Sequence, residues 1–197
     1  MCQVKGRKQK QKPDERRAPL LDAAAQIFLR YGFRKASMDD VATAAGLSRQ
    51  ALYLRFESKE ELFREAVEHV LDSARLAAES ALDASGRLEE RLLSAFRALH
   101  ATHFSHPSTA AHMGELMEAS LAIIGPRIHS LQAPFLDHLA RAFAAAGASA
   151  REARELADTL DAASQGIKHR ASNLAEYEEQ MTRVIRVLCR TLPRGVR

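Results

Sequence analysis

From Leu20 onward, apolar residues return every three or four positions almost without interruption, and no stretch sustains the two-residue alternation of a half-buried strand. That period restricts the chain to an all-α fold, and the residues between the apolar runs place the helices. Pro19 suits a first helical turn, and Leu21, Ala24, Ala25, Phe28 and Leu29 mark one face until Gly32 closes the helix. Ser37 with Asp40 forms a capping box that opens a second helix over Met38 to Ala45, ended by Gly46. Ser48 caps a third helix from Arg49 to about Phe56. Ser58 with Glu61 opens a long fourth, striped by Leu62, Phe63, Ala66, Val67, Val70 and Leu71. Gly86, Pro107, the Gly125-Pro126 pair and Gly147 divide the remainder into predicted helices over 88–105, 109–122, 127–146, 150–171 and 174–192. Ser149 with Glu152 and Asn173 with Glu176 cap the last two.

Charge is unevenly spread along this helical chain. Residues 1–17 carry seven Lys/Arg and two acids, residues 18–59 six and four, and residues 60–197 sixteen and nineteen, for net charges of +5, +2 and −3. A positive N-terminal pole fits a polyanion partner, although a basic tail alone is commonly just a solvated segment. Three regions follow: a flexible basic tail over 1–17, a small head over 18–64 and a larger helical body over 65–197. The two cysteines, Cys2 and Cys189, stand near opposite ends and form no CxxC spacing, which fits a reducing cytoplasm. No apolar run long enough for a membrane span and no signal-peptide core are present, so a soluble cytoplasmic protein without a membrane partner is expected.

Two short helices joined by Ala45-Gly46-Leu47-Ser48 have the form of a helix-turn-helix, whose second helix enters the DNA major groove while the first braces it. Leu52 and Phe56, four apart, can bury against the preceding helices, leaving Arg49, Gln50, Tyr53 and Arg55 toward solvent. Arg pairs bidentately with guanine, Gln with adenine, and Tyr commonly bonds a phosphate. Ser37, Ser48 and the Lys59 ammonium suit phosphate oxygens. The same spacing also describes ordinary caps and a polar helix face, and the two readings stay open on spacing alone.

The stretch LLDAAAQIFLRYGFRKASMDDVATAAGLSRQALYLRFESKEELFREAVEHV, Leu20 to Val70, resembles the N-terminal domain of TetR/AcrR-family transcriptional regulators. The resemblance covers about a quarter of the chain and rests on several features at once: the AxxxF-type first helix, the Gly-aromatic pair, the Ser before the second helix, AAGLS, LYxxF and SKEEL. It implies that Ser37, Ser48, Arg49, Gln50, Tyr53, Arg55 and Lys59 contact DNA. Two positions depart from the family pattern, which often has a small residue in place of Gln50 and a second aromatic in place of Leu54, so operator preference does not carry over.

The resemblance also implies a larger C-terminal all-α domain whose last two helices form a four-helix bundle with a second subunit. Leu156, Leu160, Ile167, Tyr177, Met181, Val184, Ile185 and Leu188 are the candidate interface residues on those helices. A homodimer is reasonable physically as well: one short helix reads few base pairs, whereas two heads address a palindromic double-stranded operator. Family members are usually repressors released by a small molecule bound in the C-terminal domain. Candidates for lining such a pocket are His100, His103, Phe104, His112, Met113, Met117, Phe135 and His138, although Met and Phe at helical spacing are more often plain core.

Six of the eight histidines fall between His100 and His138, with His100, His103 and His106 three apart. Neither HExxH nor a supporting carboxylate accompanies them, and His106 precedes Pro107, so no metal and no cofactor is expected. A metal-dependent enzyme using that cluster and a non-specific DNA-coating protein driven by the tail are the alternatives. The first lacks any nucleophile elbow, phosphate loop or paired-carboxylate site, so no enzymatic activity is expected.

Overall fold

The computed structural model describes residues 17–104 and 107–193, apart from the side chains of residues 107–111, 113, 126 and 129. Residues 1–16 of the basic tail, His106 and the Met113 side chain lie outside that description, while Arg17 opens the first helix. Eight helices run through the described residues: α1 (Arg17–Lys35), α2 (Met38–Ala44), α3 (Arg49–Tyr53), α4 (Lys59–Asp83), α5 (Leu88–Phe104), α6 (Pro107–Ala145), α7 (Ala150–Lys168) and α8 (Leu174–Cys189). No helix among them is long and apolar enough to cross a membrane.

The predicted caps form. Ser37 accepts from the Asp40 N–H at 3.2 Å while the Asp40 carboxylate accepts from the Ser37 N–H at 3.0 Å, and Ser149 and Glu152 repeat the arrangement at α7. At α4 and α8 the return bond slides back one residue. Glu61 accepts from the Glu57 N–H and Glu176 from the Ser172 N–H, so each covers the donor just outside the cap.

Two apolar cores share these helices. The head core packs Leu20, Leu21, Ala24 and Phe28 of α1 against Val41, Leu52, Phe56, Leu62 and Phe63. The body core packs Ala78 and Leu82 of α4 against Leu92, Phe96, Phe135, Leu139, Phe143, Leu160, Tyr177 and Met181. At roughly 1.5–3 kcal/mol for each fully buried large apolar side chain, both clusters are substantial. Helix α4 enters both cores, so residue 64 lies inside a continuous helix rather than in a linker. Leu116 of α6 also belongs to the head core, which ties the body to the head at a second point.

Three features differ from the sequence reading. Gly125 and Pro126 do not end a helix: α6 continues for 39 residues from Pro107 to Ala145. A proline inside a helix forfeits one backbone bond at a cost of about 3 kcal/mol. Burial of Ile124, Phe135, Leu139 and Phe143 along the same rod offsets that cost. Next, α3 is five residues long rather than eight, because Leu54 and Arg55 turn the chain before Phe56 re-enters the core. Its length is therefore about 7.5 Å.

The third difference concerns the apolar rows of α7 and α8. Leu160, Ile167, Tyr177, Met181 and Ile185, expected at a subunit interface, are buried inside the one chain, and Leu156, Val184 and Leu188 are half-buried against the same core. Each of these helices has one strong apolar stripe, and closing the body requires it. On the opposite faces of the two helices Ala162, Gly166 and Val187 are exposed.

Candidate nucleic-acid interface

Helices α2 and α3 are set by their caps and by the turn between them. Gly46 takes φ +65°, a left-handed conformation that favours glycine, and this lets the Leu47 N–H return to the Ala42 carbonyl at 2.9 Å. Ser48 then caps α3 by accepting the Ala51 N–H at 3.2 Å. Leu52 and Phe56 are essentially inaccessible, which fixes the rotation of α3 and leaves Ser48, Arg49, Gln50 and Tyr53 exposed on one surface. Ser37 is exposed at the start of α2, and Arg55 is half-buried.

Several of the predicted contact residues already have intramolecular partners. The Arg49 guanidinium lies 2.5 Å from the Asp39 carboxylate and 5.4 Å over the Tyr53 ring, so it bridges α2 and α3. A guanidinium has five N–H donors, and a single carboxylate contact leaves others for a base. The Ser37 hydroxyl donates to the Asp40 carboxylate, and this bond, with the Ser37 backbone N–H, holds the Asp40 carboxyl below its usual range. Lys59 is half-buried and donates to the carbonyls of Arg34 and Ala36 at 3.3 and 3.2 Å, 4.7 Å over the Phe33 ring. It fastens the end of α1 to α4, a role that its position in the SKEEL stretch does not reveal.

Deeper in the chain, α1, α4, α5, α6 and α7 enclose a cavity of about 280 Å³. Of the pocket residues expected from sequence, His100, His103, Met117 and Phe135 line it. Phe104 packs against Tyr177 instead, with ring centres 5.3 Å apart, and His138 bonds Asp83 at 2.8 Å. His112 is half-buried away from the cavity lining.

His100 is buried and bonds the Ser164 hydroxyl at 2.8 Å, which in turn pairs with the Tyr177 hydroxyl at 2.8 Å. This chain joins α5, α7 and α8 and gives His100 a structural partner. Burial first, then the charges of Lys168, His103 and His169, pushes the His100 imidazole down to about 3, so it is neutral. Among the described residues no three metal-ligating side chains converge.

The sequence reading missed Asp161, Gln165 and Lys168, which bring the cavity its polar wall from α7. Their spacing of four and three places them on one helix face beside the buried Leu160, Ser164 and Ile167. A lysine next to that stripe was the available signal.

Residues 20–66 match the model of the bacterial regulatory proteins of the TetR family. An HTH-type transcriptional regulator of Bacillus subtilis, YfiR, is 44% identical over 63 residues, 32% of this chain and 31% of its own length. The HTH-type transcriptional repressor KstR2 of Rhodococcus jostii is 36% identical over 92 residues, 45% of each chain. The aligned stretches thus span less than half of either relative. The fold extends further: a transcriptional regulator from Rhodococcus sp. Rha1 superimposes with a TM-score of 0.67 over 89% of this chain and 97% of its own, at 22% identity. Residues 20–66 are therefore similar to the DNA-binding head of the TetR family of bacterial regulatory proteins, and the helical fold behind that head is shared with the Rhodococcus regulator.

Proposed function

We propose that the chain is a sequence-specific DNA-binding transcriptional regulator, acting as a repressor that a small molecule releases. The observation that carries the reading is the α2–turn–α3 unit, in which buried Leu52 and Phe56 hold Arg49, Gln50 and Tyr53 outward on one surface. Those side chains supply base-edge and phosphate contacts, and Ser37 and Ser48 orient the unit on the backbone. In this division the head, residues 18–64, reads DNA, and residues 65–197 sense the effector and pair two subunits. Similarity to the transcriptional repressor KstR2 supports repression.

A homodimer places two heads on a palindromic operator. With the core-facing rows of α7 and α8 occupied, pairing uses their outer faces around Ala162, Gly166 and Val187, where small residues allow close helix approach. The effector occupies the cavity between head and body, whose walls include Phe28 of α1 and Phe63 of α4. A ligand there moves the helices that carry the heads, and differential affinity for the two head spacings gives release. The cytoplasm is the compartment in which such a protein meets its operator.

The test is capture of sheared genomic DNA by the full chain followed by sequencing. A few fragments sharing a short inverted repeat are expected. Even coverage of the genome would instead leave only charge-driven coating.

A further inference from the structure

We infer that the effector is an elongated aliphatic monocarboxylate, its chain lying along the apolar wall of the cavity and its carboxylate seated on Lys168. The inference rests on the reading of this cavity as the effector site, and it is carried by the cavity's shape and by its charges.

The cavity is elongated. Its lining on α4 runs from Phe63 to Arg75, about 18 Å along a helix axis. The α1 and α4 side of it is apolar at Phe28, Leu29, Phe63, Val67, Val70 and Leu71, with Arg75 at one end, and most polar groups come from α5, α6 and α7. A chain with one polar end matches this division better than a molecule with polar groups spread around it.

Three charged side chains line the cavity: Arg75, Asp161 and Lys168. Arg75 is matched by the carboxylates of Asp72 at 2.6 Å and Glu79 at 2.8 Å. Asp161 is hydrogen-bonded by Gln165, one turn further along α7. Lys168 donates to the Gln165 amide oxygen at 2.8 Å, and among the described residues no carboxylate stands within ion-pair distance of it. Asp161, two turns back on the same face of α7, acts on Lys168 through its charge but forms no direct ion pair with it.

An ammonium has three donors, and a half-buried one with a single neutral partner is a costly arrangement. Burial holds the Lys168 ammonium below its usual range. A ligand carboxylate would supply a direct ion-pair partner, which the more distant Asp161 does not, and accept the remaining N–H groups. His103, half-buried on the same wall, is positioned as a second polar neighbour for that end.

Dodecanoate, dodecan-1-ol and dodecyltrimethylammonium are the probes, titrated calorimetrically into the full chain below their micelle concentrations. Dodecanoate is expected to bind about ten-fold or more tightly than the alcohol, the size of one charge-assisted contact. Lys168→Met should bring the two within about two-fold, while Lys168→Arg keeps the preference. Thermal melts of both variants establish that they fold. Equal binding of alcohol and carboxylate to the wild-type chain overturns the inference. Tighter binding of the ammonium, which would make Asp161 the selecting charge, also overturns it, as does failure of all three to bind. Genomic capture without any ligand tests the regulator reading separately. Should that capture fail while carboxylate selectivity survives, the site stands and only its coupling to DNA is lost.

Discussion

The Glu115 carboxylate of α6 accepts the backbone N–H of Arg34 at 2.6 Å, so the body grips the end of α1 just before α2 and α3 begin. The Arg34 carbonyl is held in turn by Lys59, and α6 continues from Glu115 directly into cavity-lining Leu116 and Met117. A shift of this part of α6 therefore reaches the head through the Arg34 peptide as well as through Leu116 in the head core.

That contact depends on Gly32. Its φ of 78° and ψ of 164° lie in a region open almost only to glycine, and a Cβ there would stand 2.7 Å from a Glu115 oxygen. Gly32→Ala should cost about 2 kcal/mol in urea unfolding. Glu115→Ala should cost about 1 kcal/mol through loss of a partly exposed hydrogen bond. The double variant should cost less than the sum by about 0.5 kcal/mol or more, since removing the carboxylate relieves the steric conflict. Strict additivity would mean that the two sites do not meet.

Acid stability should report on His100. Its imidazole is held neutral down to about 3 in the folded chain but protonates near 6.5 when unfolded, so the unfolded state binds more protons between these values. Its contribution is complete above pH 6.5 and lost as pH falls toward 3, at up to about 1.4 kcal/mol per pH unit. His100→Gln, which can still bond Ser164, should flatten that limb of the stability profile relative to wild type. Parallel profiles for the two proteins would contradict the burial of a neutral imidazole.

The outward faces of α7 and α8 make a separate prediction. Sedimentation at micromolar concentration should give twice the chain mass, and Val187→Glu, at a side chain 60% exposed, should shift it to the monomer without changing the melting transition. Met181→Ala, inside the core, should instead cost about 2–5 kcal/mol of stability. A wild-type monomer would rule out pairing through these faces.

What the sequence made legible follows from which interactions are local. Capping boxes such as Ser37 with Asp40 and Ser149 with Glu152 act within one turn, and they form as read. The burial of Leu52 and Phe56 followed from a spacing of four and a nearby core. The failures are tertiary. Pro126 sits inside α6 because two cores hold that helix on either side of it, a fact that no local propensity contains. Tyr177 and Met181 were placed at a subunit interface because an apolar stripe does not state whether its partner lies in the same chain. The engagement of Arg49 by Asp39 and of Lys59 by the α1 carbonyls likewise joins residues 10 and 23–25 positions apart.

The central claim is that α3 reads sequence through Arg49. The direct measurement is affinity for a captured fragment and for its scrambled version, with the wild-type chain and Arg49→Ala, at one fixed salt concentration. Wild type should prefer the captured fragment strongly, and Arg49→Ala should lose about 1–3 kcal/mol on that fragment with little change on the scrambled one. Equal losses on both DNAs would make Arg49 a phosphate contact, and a wild-type chain with no preference between them would contradict the account.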